Sequence, residues 1–283
     1  MSVPVPPAVE PDDPRTAQLA TALAVVRRRV ADAATAAGRD PGSVTLVAVT
    51  KFFPAADVVR LAGLGVVDVG ENREQEAAAK HTDVAALVQL ARAARVRVPA
   101  DPESLRWHMI GQLQTNKARA VLRWAGVVES VDRPRLVTAL SRAAVDAGRV
   151  LPCLVQVNLD AVDGSDPAHD PGTGGAGGGG AGEGGAGAGR GGVAPADVAA
   201  LADAVAAAEG LGLRGLMAVA PPGTDPGPPM AALARLRARV LADHPGADQL
   251  SAGMSGDLEA AVAVGATHVR IGSALLGPRP PLG

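Results

Sequence analysis

Val44-Thr45-Leu46-Val47-Ala48-Val49-Thr50-Lys51-Phe52-Phe53-Pro54 is the stretch on which the rest of the chain is organised. The β-branched run Val44–Val49 ends in Thr50-Lys51, and Pro54 blocks any continuation, so the pattern predicts a buried strand with a lysine at its C-terminal tip. A lysine there can be half-desolvated, which lowers its pKa and frees the amine to attack a carbonyl and form a Schiff base. Alternatively, it simply snorkels to solvent from the strand end.

Working outward, short apolar runs alternate with helical patterns along the whole chain. A proline-rich segment, residues 1–14, is expected to be a disordered tail, and a helix follows over Arg15–Ala37 with Leu19, Leu23, Val26 and Val30 on one stripe. After the Lys51 strand come a helix over Ala55–Leu64 and a second strand, Val66–Val69, ending in Gly70-Glu71-Asn72. A long helical stretch, Arg73 to about Arg97, is expected to be punctuated near His81-Thr82-Asp83. A third strand, Trp107–Ile110, leads into Gly111-Gln112, then a helical stretch over Asn116–Arg123. Strands over Val127–Val131 and Leu151–Asn158 flank a helix over Arg133–Ala147.

Residues 161–192 contain 15 of the chain's 35 glycines and no apolar periodicity, which predicts a flexible loop. Without those 32 residues the chain has 251, close to the roughly 250 of a (β/α)8 barrel. The loop is therefore expected to be an insertion within one domain. Helix Pro195–Ala208, strand Leu213–Val219, helix Met230–Ala242, a weak strand Asp248–Ser251, a helix from Gly256 to Val264 capped by Ser255, and strand His268–Ile271 complete the series. Eight strands alternating with helices predict one α/β domain over 15–283, a TIM-type barrel with a leading helix.

Composition excludes several function classes. The net charge is −2 and the pI about 6.2, so there is no basic footprint for nucleic acid. The one cysteine, Cys153, expected in a strand core, permits no intramolecular disulfide, and the Asp, Glu and His residues show no metal-ligand spacing. The chain has no tyrosine, which removes any mechanism that needs a tyrosine acid or base. No apolar run reaches membrane-spanning length, and the opening MSVPVPPAVEPDDP has neither a basic start nor an apolar core, so a cytoplasmic placement is expected.

A barrel builds its site at the C-terminal strand ends. Lys51, Glu71-Asn72, Gly111-Gln112, Ser251–Ser255 and Gly272-Ser273 all fall there although they are far apart in sequence, which favours a functional Lys51. Loops after strands seven and eight commonly bind phosphate. Ser255 is either an ordinary cap or a cap and phosphate ligand, and Gly272-Ser273 either a tight turn or a pair of N–H groups open to an anion. A reactive lysine facing a phosphate cradle fits pyridoxal phosphate held as an aldimine, or a sugar-phosphate substrate of a lysine-dependent aldolase. His108, inside Trp107-His108-Met109-Ile110, could point into the lumen or into packing. Asp12-Asp13 and Asp225 are read as solvated loop residues.

Five segments resemble one family: LVAVTK at Leu46–Lys51, GEN with QE within Gly70–Glu76, WHMIGQLQTNKAR at Trp107–Arg119, GLMAV at Gly215–Val219, and SAGMSGDLEAAVAVGATHVRIGSALLG at Ser251–Gly277. The chain is similar to the pyridoxal phosphate homeostasis proteins, whose fold is like the N-terminal barrel of alanine racemase. The resemblance implies that Lys51 is the aldimine lysine. It places the phosphate with Ser255, Gly272 and Ser273, puts Asn72 near the cofactor ring, and sets Arg270 toward the pyridine nitrogen. Phe53 stands where the family often has a second lysine, Arg73 where it often has tyrosine, and Met109 and Leu276 where phenylalanine is common. With no tyrosine, and no room expected for a second domain, the resemblance implies a cofactor carrier rather than a turnover enzyme. Pyridoxal phosphate and apo-enzymes that receive it are the expected partners, and a monomer the expected state. The alternative is a single-domain racemase or related lyase that uses Lys51 as its base.

Overall fold

The computed structural model describes residues 13–93, 104–160 and 191–279. The expected tail, except Asp13-Pro14, and the glycine-rich loop, except Gly191-Gly192, lie outside these residues. The eight strands are β1 Thr45–Val49, β2 Asp68–Glu71, β3 Arg106–Met109, β4 Val127–Val131, β5 Leu151–Val157, β6 Leu211–Ala218, β7 Gln249–Ser251 and β8 His268–Ile271. They pair in parallel, each with its sequence neighbour, and β8 closes on β1. The helices are α1 Pro14–Ala36, α2 Ala55–Gly63, α3 Glu74–Ala93, α4 Ala118–Val121, α5 Pro134–Asp146, α6 Val198–Ala207, α7 Gly227–Asp243, α8 Leu258–Ala263 and α9 Ser273–Leu276.

Strand alternation divides the barrel into two interiors. Outward side chains such as Val69, Trp107, Val128, Cys153, Val155, Leu216 and Leu250 pack under α2–α7 in one continuous apolar core. Leu140 and Met230, fully buried there, each contribute on the order of 2 kcal/mol by leaving water. Lumen positions alternate with these, and Val127, Leu154 and Met217 of β4–β6 form a small apolar cluster there.

The predicted stripe of α1 is buried as expected, with Leu19, Leu23, Val26 and Val30 packed against Ala48, Leu61, Leu258 and Val269. Asp13 is not a solvated loop residue, nor Pro14 part of a tail. Asp13 caps α1 through the N–H groups of Arg15 and Thr16 and pairs with Arg60 at 2.5 Å, which holds its carboxyl down at about 2. Asp57 of α2 receives both Arg15 and Arg60, so α1 is latched to the barrel flank by charge as well as by apolar area.

Three other expectations shift. The second strand begins at Asp68 because Val66 donates back to Leu61 to close α2, and the ladder with β1 starts at Val47 opposite Asp68. No break interrupts α3 at His81-Thr82-Asp83: His81 stacks edge-on against Trp107 at 5.4 Å and Thr82 bonds the Ala78 carbonyl, which accommodates both within the helix. The last part of that predicted helix, 94–97, lies outside the described residues. Ser255 does not cap α8, whose first helical bond runs from Ala261 to Asp257. Asp257 takes the Met254 N–H, so a turn precedes the helix and Ser255 sits within that turn.

Candidate functional site on the C-terminal rim

Closed strand order makes β7, β8, β1 and β2 consecutive around the barrel, so the loops after them are neighbours. Ala48 pairs with Ile271 and Val49 with Gly70, which sets Lys51 between Gly272-Ser273 on one side and Asn72 on the other. A Cβ on Gly272 would lie 3.5 Å from the Val49 carbonyl oxygen, which shows how closely these two tips run. Asn72 is itself packed by its neighbour: a Cβ on Gly111 would overlap the Asn72 carbonyl, so only glycine allows the loops after β2 and β3 to cross there.

Lys51 is half-buried, and no hydrogen bond or ion pair engages its Nζ among the described residues. Burial lowers its pKa, Arg279 adds to the depression, and Glu71 and Glu76 partly oppose both. Arg279 stacks on the Phe52 ring at 5.1 Å, which brings this cation to the lysine. The chain has only three lysines. Lys80 is buried against Glu71 at 2.7 Å and Lys117 faces Glu74 at 3.6 Å, so Lys51 is the lysine left without a carboxylate partner. The lysine count was available from the sequence as a signal for Lys51, but the other two lysines' partners were not.

Across the rim, Ser255 and Ser273 bring hydroxyls, and Ser273-Ala274 open the first turn of α9, where N–H groups have no intrahelical acceptor. Arg29 of α1 donates to the Ser255 carbonyl at 2.7 Å and pairs with Glu259, placing a cation behind that loop. Two cavities open on this face. One, about 620 Å³, is lined by Asn72, Glu76, Gln112, Lys117 and Arg133; the other, about 350 Å³, by Pro221, Met254, Gly256 and Asp257.

Below the rim, the lumen holds a charged network that the sequence reading did not anticipate. Arg270 is buried, donating through Nη1 to Ser251 Oγ and through Nη2 to the Ala218 carbonyl, both at 2.6 Å. Ser251 donates to Glu129 Oε2 at 2.6 Å, and Glu129 Oε1 lies 2.6 Å from His108 Nδ1. His108 Nε2 is 2.9 Å from Asp68. His108 thus points into the lumen rather than into packing. Desolvation alone would lower its pKa, but the two carboxylates outweigh it and raise the imidazole to about 9. Glu129 is held at about 2 in spite of its burial, by His108, Arg270 and Ser251. Asp68 and Glu129 were visible as charges inside apolar strands (Val66–Val69 and Val127–Val131), a signal that marks inward polar positions when partners exist. Cys153 is a core residue, as expected.

The residues present suit an aldehyde-bearing phosphate: an amine without a partner, rim hydroxyls and N–H groups, and a fixed guanidinium beneath. Among the described residues no group of His, Cys, Asp and Glu is arranged to hold a metal ion, and no helix is long and apolar enough to cross a membrane.

Comparison with known proteins identifies the family. The family model "alanine racemase, N-terminal domain" matches residues 185–280. The pyridoxal phosphate homeostasis protein of Mycobacterium tuberculosis is 44% identical over 271 residues, covering 94% of each chain. That of Escherichia coli K12 is 34% identical, covering 91% of this chain and 95% of its own. PipY of Synechococcus elongatus, whose structure was solved with PLP bound, is 30% identical with a TM-score of 0.67, covering 92% of this chain and all of its own. Alanine racemase from Corynebacterium glutamicum, at 15% identity and a TM-score of 0.56, shares the fold and extends beyond it, since 62% of its chain is covered. With identity of this level along nearly its whole length, the chain belongs to the pyridoxal phosphate homeostasis protein family.

Proposed function

We propose that this chain holds pyridoxal 5'-phosphate on Lys51 as a Schiff base and serves homeostasis of that cofactor inside the cell, limiting free aldehyde and passing it to apo-enzymes. One observation carries the reading: of the three lysines, Lys51 alone has no carboxylate partner among the described residues, and it stands on the rim between the loops expected to take phosphate and ring. Burial that favours the uncharged Lys51 amine would favour its condensation with an aldehyde, with loss of water. The cofactor supplies the carbonyl and an electron-accepting ring.

In this reading, the Ser255 and Ser273 hydroxyls and the N–H groups at Gly272-Ser273 bind the phosphate, and Asn72 borders the ring. Arg270 faces the ring nitrogen. Because a guanidinium does not give up its proton, a ring nitrogen facing it would stay unprotonated, which would suit holding a cofactor better than driving carbanion chemistry. The Ser251 and Ala218 contacts keep Arg270 from swinging away. The chain acts as one barrel domain and as a monomer.

The test is an absorption spectrum of purified protein before and after borohydride, with the reduced peptide mapped. A Schiff-base band that borohydride bleaches, with the adduct on Lys51 and lost in Lys51→Ala, is expected. A colourless protein given the cofactor, or an adduct that persists in Lys51→Ala, overturns the proposal.

A further inference from the structure

The backbone that carries Lys51 is gripped on both sides from α3 and β2. Phe52, next to Lys51, is the one non-glycine residue among those described with a left-handed backbone, φ +70°. A bulky aromatic residue adopts that conformation only where its surroundings impose it. Here its N–H donates to Glu76 Oε1 at 2.7 Å. On the other side, the Thr50 carbonyl accepts from Lys80 Nζ at 2.8 Å, and the Thr50 hydroxyl donates to Glu71 Oε1 at 2.6 Å. Lys80 ties the pieces together, lying 2.7 Å from Glu71 and 3.4 Å from Glu76. Glu71 and Lys80 are buried, where an ion pair is costly unless hydrogen bonds satisfy it; Lys80 is bonded to Thr50 and to Glu71 Oε1, while Glu71 Oε2 has no partner among the described residues.

We propose that Glu76, backed by Lys80 and Glu71, is a positioning residue that fixes the Thr50–Phe52 backbone so that the Lys51 side chain is aimed across the rim. This rests on the reading that Lys51 carries the cofactor. The Phe52 conformation turns the chain sharply after Lys51; the Phe53 N–H closes the turn on the Thr50 carbonyl at 3.0 Å, and Glu76 braces it from α3 through the Phe52 N–H.

Position can be separated from charge. The charged and titratable groups that bear on Lys51 are Arg279, Glu71 and Glu76, with Lys80 behind them. Removing the Glu76 carboxylate takes away a negative charge, which by itself favours the neutral, reactive amine. Loss of aim works the other way. In Glu76→Ala the affinity for pyridoxal phosphate should fall about tenfold and the borohydride-trapped Lys51 adduct should fall with it. In the same cofactor-free protein, acylation of Lys51 by acetic anhydride, a small reagent that needs no orientation, should stay unchanged or quicken, with Lys117 as the internal reference. Glu76→Gln keeps an acceptor for the Phe52 N–H without the charge and should recover most of the affinity.

Wild-type affinity in Glu76→Ala, or a Glu76→Gln as weak as Glu76→Ala, overturns the positioning role. Slower acylation of Lys51 in parallel with weaker binding also overturns it, since the effect would then be on the amine itself. A wild-type protein that forms no Lys51 adduct refutes the function proposed above instead, so the two failures are distinct.

Discussion

The His108 network makes stability depend on pH in a direction that can be worked out. His108 sits between Asp68 at 2.9 Å and Glu129 at 2.6 Å, with His268 and Arg106 also near, and its pKa is raised from 6.5 to about 9. A group whose folded pKa lies above its unfolded value stabilises the fold fully below the unfolded pKa. That contribution is lost as pH rises through the folded one. The full difference is about 3 kcal/mol, and the slope approaches about 1.4 kcal/mol per pH unit. Glu129, held at about 2, has the opposite sign: its contribution is present above its ordinary value and lost as pH falls through about 2. Both contributions are therefore complete near pH 5–6.5. Urea unfolding of cofactor-free protein should show stability falling by roughly 2 kcal/mol between pH 6.5 and 8.5. His108→Gln, which cannot titrate, should be less stable at pH 6.5 and lack that slope. Cys153, raised to about 12, adds an alkaline loss shared by both proteins, which the comparison cancels. In ring-labelled protein the His108 resonance should not titrate around pH 6.5. A wild-type stability that is level from pH 6.5 to 8.5, or an equal slope in His108→Gln, would refute the charged-histidine account.

Two further outcomes follow from packing. Cys153 is fully buried with a raised pKa, so a disulfide reagent at pH 8 should leave the native protein unmodified and react once in urea; a fast native reaction would contradict its place in the core. Gly111→Ala forces the loops after β2 and β3 apart, and should lower the melting temperature and weaken cofactor binding by tenfold or more; Gly126→Ala, where the nearest atom is 3.3 Å away on the flexible Arg106 side chain, is the milder control.

The barrel was legible in the sequence because its determinants are local. Period-two apolar runs and 3.6-residue stripes are properties of neighbouring residues, and β4 and β8 have the predicted boundaries. Boundaries slipped where individual hydrogen bonds, rather than apolar periodicity, decided them. β2 loses Val66 and Val67, because Val66 closes α2, and gains Gly70 and Glu71, with Glu71 bonded by Lys80 and Thr50. At α8 Asp257, not Ser255, stands at the N-cap, and its carboxylate takes the Met254 N–H of the preceding turn.

The sequence by itself therefore determined an eight-stranded barrel, a lysine at the tip of β1 and small polar residues after β7 and β8. It did so because strand order and alternation fix which end of the barrel each loop occupies. Only the tertiary structure decided that Lys51 lacks a partner while Lys80 and Lys117 have one. Only it joined Asp68, His108, Glu129, Ser251 and Arg270 into one lumen network, and set Glu76 against the Phe52 backbone. Those contacts join residues that lie apart in sequence, and no local pattern encodes the 2.7 Å between the Phe52 N–H and Glu76.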